Sequence, residues 1–122
     1  MYEKVFYRSH TYLASASQML NKCMKNDEFL EHIYEGVKAL GLVDNQWDFS
    51  LMCGRTGTWF SCIKARDLPL TADAAITLGL NIVSRTDDCV DEHKRIVAER
   101  FRQQLIERVQ MRIRKRQQLE DY

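Results

Sequence analysis

The amino-acid sequence predicts an all-α fold, and three observations carry that expectation. Among 122 residues there are 5 Gly and 1 Pro, so few positions are marked for the tight turns that join strands. Apolar residues recur mostly at three- and four-residue steps, the stripe of helices that bury one face. Between Ser84 and Tyr122 no glycine or proline interrupts the chain, which suits one long helix.

Each element follows from its local pattern. Val5, Phe6, Tyr12, Leu13, Ala16, Met19, Leu20 and Cys23 predict an amphipathic helix over residues 1–26 that packs on the core. Asn26 and Asp27 interrupt that stripe and can cap a second helix, whose apolar face is Phe29, Leu30, Ile33, Tyr34, Val37 and Leu40, with Gly41 ending it. Two short pieces come next. Gln46 to Cys53 is too short to stand without packing and is stopped by Gly54, and Trp59 to Ala65 can be capped by Thr56 or Thr58. After the proline-bearing loop Asp67-Leu68-Pro69-Leu70, Thr71 is a good N-cap and Asp73 favours the helix dipole. Ala75, Ile76, Leu78, Gly79 and Ile82 give that helix its apolar face.

From about Thr86 the character changes. Asp87, Asp88, Asp91 and Glu92 crowd the start, and Arg108, Arg112, Arg114, Lys115 and Arg116 crowd the end, a polarity that complements the dipole of a single helix over 85–122. Its apolar residues Val97, Phe101, Leu105, Val109 and Ile113 step by four, so the stripe drifts by about 40° per step and makes no strict heptad seam. The first half is expected to pack on the domain, and the second to be free or to meet a partner, a second copy first among them.

Composition sets outer limits. The 18 Lys+Arg against 17 Asp+Glu and 45% apolar residues describe one compact domain rather than a disordered chain or a globally basic polymer binder. No run approaches a membrane span, and MYEKVFYRSH has no apolar signal core, so a cytoplasmic protein with no membrane role is expected. Cys23, Cys53, Cys62 and Cys89 form no C-x-x-C pair, and His10, His32 and His93 are scattered. Reduced, mostly buried thiols are expected, with no metal and no cofactor. Cys89 and His93 are spaced to share a helix face, but two ligands do not make a site. No acid, base and nucleophile stand at a recognisable spacing, so the reading is not an enzyme and no residue is assigned as catalytic.

The middle of the chain is the informative part. Short helical pieces at Gln46–Cys53, Thr56–Arg66 and Thr71–Ile82, joined by tight turns and preceded by the helix ending at Gly41, describe a helix-turn-helix with its supports over 27–84. Phe49 and Cys53 give the first piece an apolar pair, Ser50 a small side chain where two helices cross steeply, and Gly54 the sharp turn. Phe60 and Ile63 turn the second piece inward, which leaves Thr56, Gly57, Thr58, Ser61, Cys62 and Lys64 largely outside. Cations for phosphates and short polar side chains for base edges are what a DNA reader needs. Arg55, Lys64 and Arg66 beside Thr56, Thr58 and Ser61 supply them, unless the cations only solvate a helix face. Trp59 either packs against the first or last helix or reaches the groove, and Trp47 is expected at a rim or core contact with the N-terminal helix.

The stretch Phe49 to Arg66, with Thr71 to Ile82 after it and Gly41-Leu42 before it, resembles the helix-turn-helix of the Cro/C1-type (XRE) family of phage and bacterial repressors over about residues 28–83. That resemblance implies a helical domain that sets a recognition helix in the major groove of double-stranded DNA, usually as a homodimer, and so a transcription regulator. It places Gln46 at the start of the second family helix, where the family contacts the backbone and braces the recognition helix, and Asn45 at the cap of that second helix. Thr56, Gly57 and Thr58 fall at the start of the recognition helix, Ser61 and Cys62 in its exposed middle. Arg55 and Lys64-Ala65-Arg66 depart from the family's usual aliphatic residue and acidic-x-glycine ending. The DNA-contacting set is therefore Gln46, Arg55, Thr56, Gly57, Thr58, Trp59, Ser61, Cys62, Lys64 and Arg66. The basic run Arg108 to Arg116 is open as a solvated face, a DNA-backbone extension or a docking surface. The alternative function is a protein-interaction module on the same scaffold that docks on a transcription component such as a polymerase, a sigma subunit or a repressor.

Overall fold

The computed structural model describes residues 24–120, so the amphipathic segment expected before Met24 lies outside the described residues. All regular structure among them is helical: α1 (Asn26–Ala39), α2 (Gln46–Met52), α3 (Trp59–Ala65), α4 (Ala72–Thr86) and α5 (Glu92–Glu120). None of these helices is long and apolar enough to cross a membrane.

α1 buries Phe29, Leu30, Ile33, Tyr34 and Val37, the face its periodicity marks. It starts one residue earlier than the sequence suggests: Lys25 is the N-cap, with no side-chain cap, while Asp27 and Glu28 sit in the first turn. Gly41, at φ +79°, ends the helix by donating to the Lys38 carbonyl at 2.9 Å while Leu42 donates to Val37 at 3.3 Å. These two bonds satisfy carbonyls that the last turn would otherwise orphan. Gly54 closes α2 in the same way at φ +75°, with Arg55 N–H reaching back to the Ser50 carbonyl at 3.0 Å.

α3 ends with the same pair of bonds, from Asp67 to Lys64 and from Leu68 to Ile63, but the residue at the left-handed position is Asp67, at φ +52°. An L side chain is strained there and glycine is not. Asp67→Gly is therefore expected to raise stability by about 0.5–1 kcal/mol, seen as a higher urea midpoint with the same slope. An unchanged or lower midpoint would mean that the Asp67 side chain stabilises this turn.

α1, α2 and α3 meet in an aromatic cluster. The Phe49 and Phe60 ring centroids are 4.8 Å apart, Tyr34 and Phe60 are 5.3 Å apart, and Tyr34 and Phe49 are 5.5 Å apart. Asn45 caps α2 by accepting from Asp48 N–H at 2.9 Å, and Thr71 caps α4 by accepting from Ala74 N–H at 3.2 Å, as their positions predict. On α4, Ile76 differs from expectation: it is 54% exposed, and the buried stripe is Ala74, Ala75, Leu78, Gly79, Ile82 and Thr86.

The long last helix predicted from 85 onward is two helices. α4 runs to Thr86, residues 87–91 turn, and α5 begins at Glu92. Asp87, Asp88 and Asp91 thus lie in the turn, where Asp91 accepts from His93 N–H at 3.0 Å in the manner of a cap. Cys89 falls in that turn as well, so it shares no helix face with His93. α5 folds back antiparallel along α4, with Arg102 against Gly79 and Arg112 donating to the Leu70 carbonyl. It also crosses α1, where the Phe101 ring lies directly on Gly36 and His32 Nε2 is 3.0 Å from Gln104 Oε1. Ala98 and Leu105 are buried, and Val97, Phe101 and Val109 pack on the core. The helix stays on the domain as far as Arg112, well beyond its midpoint, while Ile113 is already 49% exposed.

Candidate nucleic-acid interface

The unit formed by α2, its turn and α3 is held by two hydroxyls, one buried and one exposed. Ser50, fully buried in α2, donates to the Gln46 carbonyl at 3.1 Å and accepts from Phe60 N–H at 3.0 Å. That second bond matters because Thr58, the N-cap residue of α3, makes no side-chain cap. One of the N–H groups that a helix start leaves orphaned is thus capped by a residue of the neighbouring helix. Ser61 Oγ then donates to Gln46 Oε1 at 3.1 Å, so the first residue of α2 braces the middle of α3.

Phe60 and Ile63 face the core, and Thr56, Thr58, Ser61, Cys62 and Arg66 are exposed on the outer side. Short hydroxyls and a thiol make a surface that can approach base edges closely. Trp59 is half-buried and packs against the core cluster.

Gly57 differs from its predicted place outside. It is buried, because the indole of Trp47 lies on it, and a Cβ at residue 57 would run into that ring. The N-terminal helix expected to contact Trp47 lies outside the described residues; Trp47 itself is 56% exposed and sits on the turn of this unit. Its position was recoverable from spacing: Trp47 and Leu51 stand four apart on the side of α2 opposite Phe49 and Cys53, and Leu51 is 54% exposed.

Two of the three expected phosphate cations are engaged within the domain. Arg55 pairs with Asp73 of α4 at 3.1 Å and donates to Thr71 Oγ1 at 3.3 Å, which ties the α2–α3 turn to the start of α4. Lys64 pairs with Glu31 of α1, and its ammonium lies 5.4 Å from the Phe60 ring centroid. Asp73 and Glu31 are far from their partners in sequence, so local patterning gave no sign of either pair. Arg66 is exposed, and among the described residues it has no ion pair.

The basic run divides likewise. Arg108 donates to Asn26 Oδ1 at 3.3 Å and lies 4.9 Å from the Phe29 ring centroid. Burial, with the Arg112 guanidinium nearby, holds its pKa below the ordinary guanidinium value. Arg112 holds the Leu70 carbonyl. Arg114, Lys115 and Arg116 are all exposed. The cysteines also differ in kind: Cys53 is buried, which pushes its thiol up to about 12, whereas Cys62 is exposed on α3.

No curated protein and no solved structure matches the chain. Residues 30–120, from the first turns of α1 to the end of α5, match the family of unknown function DUF6626, and the chain belongs to that family.

Proposed function

We propose that the chain is a sequence-specific double-stranded-DNA-binding regulator of the Cro/C1 kind, acting in the cytoplasm as a homodimer. One observation carries this reading: α3 is braced from α2 through Ser50–Phe60 and Gln46–Ser61 while its outer side presents short polar groups and the exposed Arg66. A braced helix with a bare polar face is what base readout in a major groove requires. Thr56, Thr58, Ser61 and Cys62 read base edges and Arg66 contacts phosphate. Arg55 and Lys64 set the pose of the unit through their ion pairs. Two copies read a two-fold site one helical turn apart.

Cys62 offers the direct test. Selection from a random duplex pool is expected to enrich a two-fold symmetric sequence, and N-ethylmaleimide treatment should abolish binding to it by placing a bulky group in the centre of the reading face. Bound duplex should protect the thiol, and Cys62→Ser should bind normally and resist the reagent. No enriched sequence, or full binding by protein shown by mass spectrometry to be modified at Cys62, would overturn the assignment.

A second reading is favoured by one specific feature. Trp47 and Leu51 are exposed together on α2, beside cations that are already neutralised, a composition suited to docking on another protein of the transcription apparatus. A stoichiometric protein complex lost on Trp47→Ala, with no duplex binding, would support it instead.

A further inference from the structure

α5 is the most cationic element of the chain: it carries nine of the 18 Lys and Arg residues against four carboxylates. Its final segment lies outside the body of the domain. Arg112 grips the Leu70 carbonyl just before the start of α4, and every residue from Ile113 to Gln118 is exposed. With a rise of about 1.5 Å per residue, the helix projects roughly 12 Å beyond that anchor to Glu120. Among the described residues, no ion pair or hydrogen bond ties down Arg114, Lys115 or Arg116.

The anchor fixes where this end lies. Leu70 is four residues after Arg66, the exposed cation that closes α3, so the two are at most about 14 Å apart even in extended chain. The back-bond from Leu68 to Ile63 shortens that path. This puts the base of the projecting segment beside the loop that follows α3, and its exposed cations suit a polyanionic backbone. We propose that Arg114, Lys115 and Arg116 form a second phosphate-contacting site that clamps the sugar-phosphate backbone of the duplex whose bases α3 reads; this rests on the DNA-binding reading above. Three consecutive residues fan through about 200° of a helix, so about two of the three face one strand at a time. The site adds affinity and no sequence preference.

The test uses the full chain and a labelled mixed-sequence DNA duplex, titrated by fluorescence anisotropy over a range of salt concentrations. The variant Arg114→Gln/Lys115→Gln/Arg116→Gln should flatten the slope of log affinity against log salt by about two and weaken low-salt binding by about tenfold or more. Its melting temperature should be unchanged, since these side chains are exposed and, among the described residues, make no ion pair or hydrogen bond. The variant Lys94→Gln/Arg95→Gln/Arg100→Gln makes the same change in net charge on exposed positions toward the other end of α5 and should keep the wild-type slope. Equal slopes for wild type and the first variant overturn the proposal, and so does an equal loss in both variants, which would report net charge alone. If the wild type binds no duplex at low salt, the DNA-binding reading itself fails. If it binds phosphatidylserine vesicles instead, the partner is a membrane surface.

Discussion

Phe49→Ala is expected to destabilise the domain by about 3–5 kcal/mol, close to the whole stability of many small domains. The Phe49 ring is fully buried and lies edge-on to both Tyr34 and Phe60, so its removal opens a cavity where α1, α2 and α3 meet. α2 and α3, each 7 residues long, have no independent stability to bridge the gap. Urea unfolding followed by circular dichroism should show the midpoint collapsing, or no folded baseline at all. A loss under 1 kcal/mol would mean that the cluster does not organise the fold as drawn.

Ser50→Ala should cost about 1–3 kcal/mol, more than the loss of a typical hydrogen bond, because it leaves the buried Phe60 N–H with no acceptor. The loss should be local as well as global. Amide exchange at the start of α3 should accelerate beyond what the change in overall stability explains, while exchange in α4 should follow the global value. Uniform acceleration across all helices would show that Ser50 acts only as a packing residue and not as the cap of α3.

These two residues also mark the boundary of what the sequence discloses. The helical class, the glycine stops at Gly41 and Gly54, the caps Asn45 and Thr71, and the small residue at Ser50 are written in local spacing, because turn geometry and amphipathic period involve neighbours within about four residues. The break at 87–91 is not, since no glycine or proline marks it. It exists because α5 must turn back to bury Ala98 and Leu105 and to lay Phe101 on Gly36, contacts that no local window contains. The same division runs through the candidate interface. The outward direction of Thr56, Thr58, Ser61 and Cys62 follows from the inward direction of Phe60 and Ile63. The engagement of Arg55 by Asp73 and of Lys64 by Glu31, and the burial of Gly57 under Trp47, depend on tertiary neighbours and so were invisible.

The borrowed cap on α3 separates two demands that most short helices must reconcile. α3 is held in place through Ser50, Phe60 and Ile63, with Ser61 and Lys64 bracing it through Gln46 and Glu31. Among the described residues, Thr56, Thr58, Cys62 and Ala65 make no hydrogen bond through their side chains, and they lie outside the core. A change at any of these four therefore alters what the surface presents while leaving the scaffold nearly untouched, so the helix behaves as an exchangeable key on a fixed shank. New recognition could be acquired there one residue at a time, with no accompanying repair of the interior.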